Sequence, residues 1–126
     1  MNTNYYFCSQ AVVDILKPEE VSKPFISGFE FEGDTPHYIA WLDGDEIEKE
    51  FNKLDDDEQD DFWYWEIVPG NIDISTVDLN QAKERGLLWE IQHRTGMTKT
   101  CNQAYCICNI ADNEGVTPIE LIDKYL

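Results

Sequence analysis

The chain has 126 residues, of which 42% are hydrophobic and 13% aromatic, and its net charge is −17. This length predicts a single domain, and the apolar content is too high for a disordered chain despite the charge. No apolar run is long enough to span a membrane and the first residues lack the pattern of a secretory signal, so we expect a cytoplasmic protein with reduced cysteines.

The negative charge is concentrated in residues 30–66. This segment holds 15 acidic residues against Lys49 and Lys53, a net charge of −13 in less than a third of the chain. Charge segregated in this way produces a directed electrostatic field. Such a field repels nucleic acid and anionic membranes and attracts basic protein surfaces.

The hydrophobic pattern predicts both strands and helices along the chain. Strands are expected near residues 4–8, 25–32, 37–42, 62–68 and 104–110, from alternating or continuous apolar residues. Helices are expected near residues 10–16, 44–54, 77–95 and 117–126, from cap residues and helical spacing. Gly86 is expected to kink or split the third of these helices. Because strands and helices do not alternate regularly, we predict one α+β domain over residues 1–126, with a small, mainly antiparallel sheet.

The helix at 44–54 is amphipathic, with Ile47, Phe51 and Leu54 on one face. Asp43 is placed to cap its first turn, with Glu46 as the reciprocal partner. The following residues 55–61 are almost all acidic, and we expect their mutual repulsion to keep them in a loop. We therefore expect the acidic side of this helix and loop to be a partner-binding surface formed by Asp45, Glu46, Glu48, Glu50, Asp55, Asp56, Asp57, Glu58, Asp60 and Asp61.

An aromatic run, residues 62–65, follows the acidic loop. Trp63 and Trp65 fall on one side of the predicted strand and are added to the candidate surface, because interface hot spots favour tryptophan. The alternative is that both faces of this strand are buried in packing. Trp41 and Trp89 are expected in the core.

Other chemistry receives less support from the sequence. Residues 55–66 partly match the spacing of an EF-hand calcium loop but lack its required glycine. The spacing of Cys101, Cys106 and Cys108 is not that of the paired cysteines of a zinc site. Neither His37 nor His93 lies in a recognisable catalytic pattern, and each is expected to be a surface or hydrogen-bonded residue. We predict no enzyme activity, no cofactor, no metal site and no direct binding of nucleic acid.

In composition and size the chain resembles acidic inhibitors of nucleic-acid enzymes, namely immunity proteins of nuclease toxins and phage proteins that block restriction or CRISPR complexes. This resemblance covers charge and size alone and implies a basic protein partner. Two alternatives stay open: a small metal-dependent or cysteine-containing enzyme domain, and a structural or assembly subunit whose acidic face is only solubilising. The sequence does not define the oligomeric state.

Overall fold

The computed structural model describes residues 2–25, 36–68, 70, 72–98 and 100–126. Within these residues three strands form, β1 (Thr3–Ser9), β2 (His37–Asp43) and β3 (Tyr64–Glu66). Seven helices accompany them: α1 (Gln10–Leu16), α2 (Gly44–Phe51), α3 (Asp56–Asp61), α4 (Leu79–Arg85), α5 (Leu87–Thr95), α6 (Thr100–Glu114) and α7 (Pro118–Tyr125). The predicted α+β class with an antiparallel sheet is confirmed.

The sheet has the order β2-β1-β3, and β1 is antiparallel to both neighbours. Side chains alternate between its two faces, and each face is covered. On one face Phe7 and Ile39 pack with residues of α4, α5, α6 and α7. On the other face Cys8 and Ala40 pack with Val12 of α1 and with residues of α2. The sheet therefore lies between two layers of helices.

The outer edge of β2 is covered by the segment before it. The backbone N–H of Ser22 donates to the Ile39 carbonyl over 2.9 Å, and Phe25 and His37 exchange two backbone hydrogen bonds. The Phe25–His37 pair therefore belongs to the hairpin predicted for residues 25–42. The remainder of the predicted strand at 25–32 lies outside the described residues.

The prediction of a strand at residues 104–110 is wrong. These residues form the centre of α6, which is buried on several sides, including Ala104, Ile107 and Ala111. A short, continuous apolar run has the same pattern in a buried helix as in a buried strand, and local sequence does not distinguish them. Ala104, Ile107 and Ala111 are separated by three and four positions, which is the spacing of residues on one face of a helix.

The remaining predicted elements form close to their expected positions. The helix at 77–95 is split by Gly86, whose φ of 97° ends α4 and starts α5. The strand at 62–68 is shorter, because Phe62 still belongs to the C-terminal cap of α3. The helices predicted near 10–16, 44–54 and 117–126 form as α1, α2 and α7, although α2 ends at Phe51, three residues earlier than predicted. Thr117 caps the last helix by accepting a hydrogen bond from the Glu120 N–H.

Two tryptophans predicted in the core reach the surface. Trp41 is 39% exposed and packs edge-on against Tyr5 on the β1–β2 pair. Trp89 is 38% exposed, with its ring parallel to His93 and the Arg85 guanidinium 4.9 Å from its centroid. Each indole ring is covered on one part by a neighbouring side chain and exposed on the rest. The apolar character of tryptophan does not by itself predict this partial exposure.

Candidate functional site

Helix α2 presents an acidic side to solvent because its apolar residues face the sheet. Ile47 is fully buried and Phe51 half-buried beneath the helix. Asp43 caps the helix, although its carboxylate accepts from the Asp45 N–H over 2.9 Å and not from Glu46. Of the predicted binding residues on this helix, Asp45, Glu46 and Glu48 are exposed. The fourth, Glu50, is half-buried and forms a 3.1 Å ion pair with Lys53.

The acidic segment at 55–61 is a helix, so the prediction of a loop is wrong. Asp55 accepts from the Glu58 N–H over 2.9 Å, and the Glu58 carboxylate accepts from the Asp55 N–H over 3.1 Å. This capping box, together with three acidic residues in the first turn, stabilises the positive end of the helix. A cap is worth about 1 kcal/mol. A like-charged pair one turn apart costs only about 0.2–0.5 kcal/mol.

Helix α3 is fixed to the end of α2 by polar and apolar contacts. The Gln59 side-chain amide donates to the carbonyls of Phe51 and Leu54 over 3.1 and 3.3 Å. Phe62, only 1% exposed, places its ring 6.1 Å from that of Phe51. Six exposed carboxylates are thereby held on one short helix and its cap: Asp55, Asp56, Asp57, Glu58, Asp60 and Asp61. Among the described residues none of these six forms an ion pair.

The two tryptophans of the candidate surface have different environments. Trp65 is 57% exposed on the edge strand β3, opposite Phe7 of β1. Trp63 is half-buried, with its ring 5.1 Å from that of Phe7 and 5.5 Å from that of His37. Ser9 fixes this turn, since its N–H donates to the Trp63 carbonyl and its Oγ accepts from the Trp63 N–H. Trp65 is therefore the more exposed of the two, and its pairing with Phe7 places it on the sheet face opposite the one that α2 covers.

A groove between α2 and the sheet was not predicted from the sequence. It is lined by Tyr6 of β1, by Gly44, Asp45 and Glu48 of α2 and by Glu66 of β3, together with Asn2 and Thr3. Burial raises the pKa of the Tyr6 hydroxyl, and the charges of Glu66 and Asp43 raise it further. Carboxylates distant in sequence therefore converge on this hydroxyl. Period-two spacing places Glu66 beside Tyr64, but only strand pairing brings either near Tyr6.

Three of the four cysteines are buried. Cys8, Cys106 and Cys108 are buried, and burial raises the pKa of Cys8 and of Cys108 to about 12. A protonated thiol is a poor nucleophile and a poor metal ligand. No cluster of three or more His, Cys, Asp or Glu side chains arranged to hold a metal occurs in the part of the chain that is described.

The expectation for His37 is wrong. This side chain is completely buried among the rings of Phe7, Phe25 and Trp63, and neither ring nitrogen has a hydrogen-bond partner among the described residues. Burial lowers its pKa to about 4, so the imidazole is neutral at pH 7. His93 is exposed, as predicted, with its ring centroid 4.6 Å from that of Trp89.

Comparison with known proteins finds no matching family model, no similar curated protein and no similar solved structure. None of the helices in the described ranges is long and apolar enough to cross a bilayer. Functional inference for this chain therefore depends on its own surface chemistry.

Proposed function

We propose that this chain is a non-enzymatic binding protein that occupies the basic, nucleic-acid-binding surface of a partner protein. The observation that carries the proposal is the joined acidic surface of α2 and α3. On it, helix α3 is held in place by its capping box and by the Gln59 hydrogen bonds to the end of α2. Exposed negative charges without an ion-pair partner, such as the six carboxylates of α3 and its cap, favour fast association with a basic partner.

The acidic surface presents closely spaced negative charges to a partner, as the phosphates of a nucleic-acid backbone do. Lysine and arginine side chains that bind phosphates also bind carboxylates, and both interactions weaken as salt concentration rises. Trp65, exposed on β3, adds an apolar contact of the type that dominates many interfaces. The proposed partner is a nuclease toxin or a restriction or CRISPR complex in the cytoplasm. The proposed action is to exclude nucleic acid from its groove.

The test is charge reversal that leaves the α3 cap intact. Because Asp55 and Glu58 stabilise the helix, the variant carries lysine only at Asp56, Asp57, Asp60 and Asp61. Proteins captured at low salt by the unaltered chain are identified. The main captured protein is then purified, and a labelled DNA duplex is bound to it. We expect the unaltered chain to displace the duplex, and the reversed variant to require at least a hundred-fold higher concentration.

A matched control reverses four exposed acidic residues elsewhere: Glu84, Asp112, Glu114 and Asp123. This variant has the same net charge as the first, so a difference between them reports position and not total charge. The control should displace the duplex nearly as well as the unaltered chain. Equal loss in both variants, or no loss in either, would refute the proposed surface. Circular dichroism and thermal melting of each variant establish that it is folded.

A further inference from the structure

The groove beside Tyr6 combines acidic groups from separate elements of the fold. Asp45 and Glu48 extend from α2, Glu66 from β3, and Tyr6 lies between them on β1. The groove has a volume of about 500 Å³ and is open to solvent. It therefore admits a side chain of a partner more readily than it encloses a free small molecule.

The Tyr6 hydroxyl is an unused polar group in this groove. Tyr6 as a residue is only 6% exposed, but its hydroxyl oxygen is not among the buried unpaired atoms and reaches the open groove, where it forms no hydrogen bond to a described residue. The hydroxyl lies against Gly44, where the absence of a side chain leaves the groove open above it. A tyrosine hydroxyl at an open groove bonds to water unless a polar group of a ligand replaces that water. This one is positioned to bond to a group that enters from outside.

The surrounding carboxylates are oriented but not neutralised. The Asn2 amide donates to Asp45 over 3.4 Å, and the Asn4 amide donates to Glu66 over 3.1 Å. Both donors are uncharged, and no lysine or arginine of the described ranges forms an ion pair with Asp45, Glu48 or Glu66. The groove thus presents three anionic acceptors and one hydroxyl to an incoming cation.

We propose that the groove binds an arginine side chain of the partner protein. This inference depends on the proposed function and specifies which group the partner contributes. A guanidinium has five N–H donors in a plane, so one group can bond to acceptors on several elements at once. A lysine ammonium has three donors around a single point and reaches fewer of the separated acceptors.

The probe is a blocked pentapeptide, acetyl-Gly-Gly-Arg-Gly-Gly-amide, titrated into the ¹⁵N-labelled protein at low salt. We expect saturable amide shifts centred on Thr3, Tyr6, Gly44 and Glu66. The lysine peptide should bind at least three-fold more weakly, and the neutral citrulline peptide should not bind measurably. Shifts spread evenly over α2 and α3 would overturn the assignment. So would an equal response to calcium chloride, which would indicate a metal site.

Matched variants separate the groove from general negative charge. Glu48→Gln and Glu46→Gln each remove one exposed charge from α2, but only Glu48 lines the groove. We expect Glu48→Gln to weaken arginine-peptide binding at least five-fold and Glu46→Gln to weaken it less than two-fold. Tyr6→Phe should weaken it about three-fold with no change in net charge. Equal effects at positions 46 and 48, or no effect of Tyr6→Phe in a variant with an unchanged melting temperature, would refute the inference.

The inference and the proposed function fail separately. If the lysine variant of α3 loses the partner while the arginine peptide does not bind, the groove assignment is wrong and the proposed function stands. If the peptide binds in the groove but the α3 variant still displaces nucleic acid, the groove is a cation site and the proposed function is wrong.

Discussion

The hydroxyl of Tyr6 lies so close to Gly44 that a Cβ atom added at Gly44 would stand 2.5 Å from the hydroxyl oxygen. Gly44 is the first residue of α2, immediately after the cap residue Asp43. The contact joins the middle of β1 to the start of the acidic helix. A glycine is needed there for close approach and not for an unusual backbone angle.

We predict that Gly44→Ala destabilises the unaltered chain by about 1–3 kcal/mol, the usual cost of overpacking. In a Tyr6→Phe background the oxygen is absent. The same substitution should then be neutral or stabilising by up to about 1 kcal/mol, since alanine favours helix over glycine. Urea unfolding of the four proteins in this double-mutant cycle measures the coupling. An equal effect in both backgrounds would show that the hydroxyl does not set the requirement.

Stability should fall on mild acidification because of His37. The pKa of this histidine is lowered from 6.5 to about 4 by burial, so the unfolded chain binds a proton that the folded chain excludes. The His37 contribution is fully present above pH 6.5 and is lost as pH falls from 6.5 toward 4. The lost free energy of unfolding reaches about 3 kcal/mol at the lower limit, from about 1.4 kcal/mol per pKa unit.

The carboxylates also titrate below about pH 5, so a variant is needed to isolate His37. In His37→Phe the ring remains apolar among Phe7, Phe25 and Trp63, and nothing at this position titrates. The difference in unfolding free energy between the variant and the unaltered chain should change by about 1–2 kcal/mol between pH 7.5 and 5. A difference independent of pH would contradict the assignment.

The capping box predicts different effects for two aspartates of the same segment. Asp55→Ala removes the acceptor for the Glu58 N–H and should destabilise the protein by about 0.5–2 kcal/mol. Asp60→Ala removes a negative charge near the C-terminal end of α3, where the helix dipole is unfavourable to it. That variant should be neutral or slightly stabilised. Urea unfolding at low salt compares them, and equal destabilisation would argue against the cap.

The segregated charge should be visible in tryptophan fluorescence. Trp65 is exposed on β3 within the acidic segment of residues 30–66, next to Glu66 in the chain, whereas Trp89 lies beside Arg85 and His93. Caesium ion should therefore quench the component lost in Trp65→Phe more than iodide does, and iodide should preferentially quench the component lost in Trp89→Phe. Acrylamide, which is neutral, should quench both. Identical caesium and iodide quenching of the two tryptophans would contradict this charge distribution.

The local pattern of the sequence was sufficient for several elements of the fold. Cap and proline signals at Thr117 and Pro118 located α7, and Gly86 located the break between α4 and α5. These features act within one turn of the chain, so neighbouring residues contain the necessary information. The prediction of a loop at residues 55–61 is wrong because the capping box of Asp55 and Glu58 outweighs the repulsion between the acidic side chains.

Burial and pairing were decided by contacts between distant segments. The run at 104–110 became a helix because α6 packs on several sides, and His37 became buried because three aromatic rings from separate segments surround it. By itself the sequence determined where the negative charge lies and which helix carries an acidic side, since those properties are local. Only the tertiary structure brought Glu66 to Tyr6 and Gly44, because strand pairing and close packing join residues that are far apart along the chain.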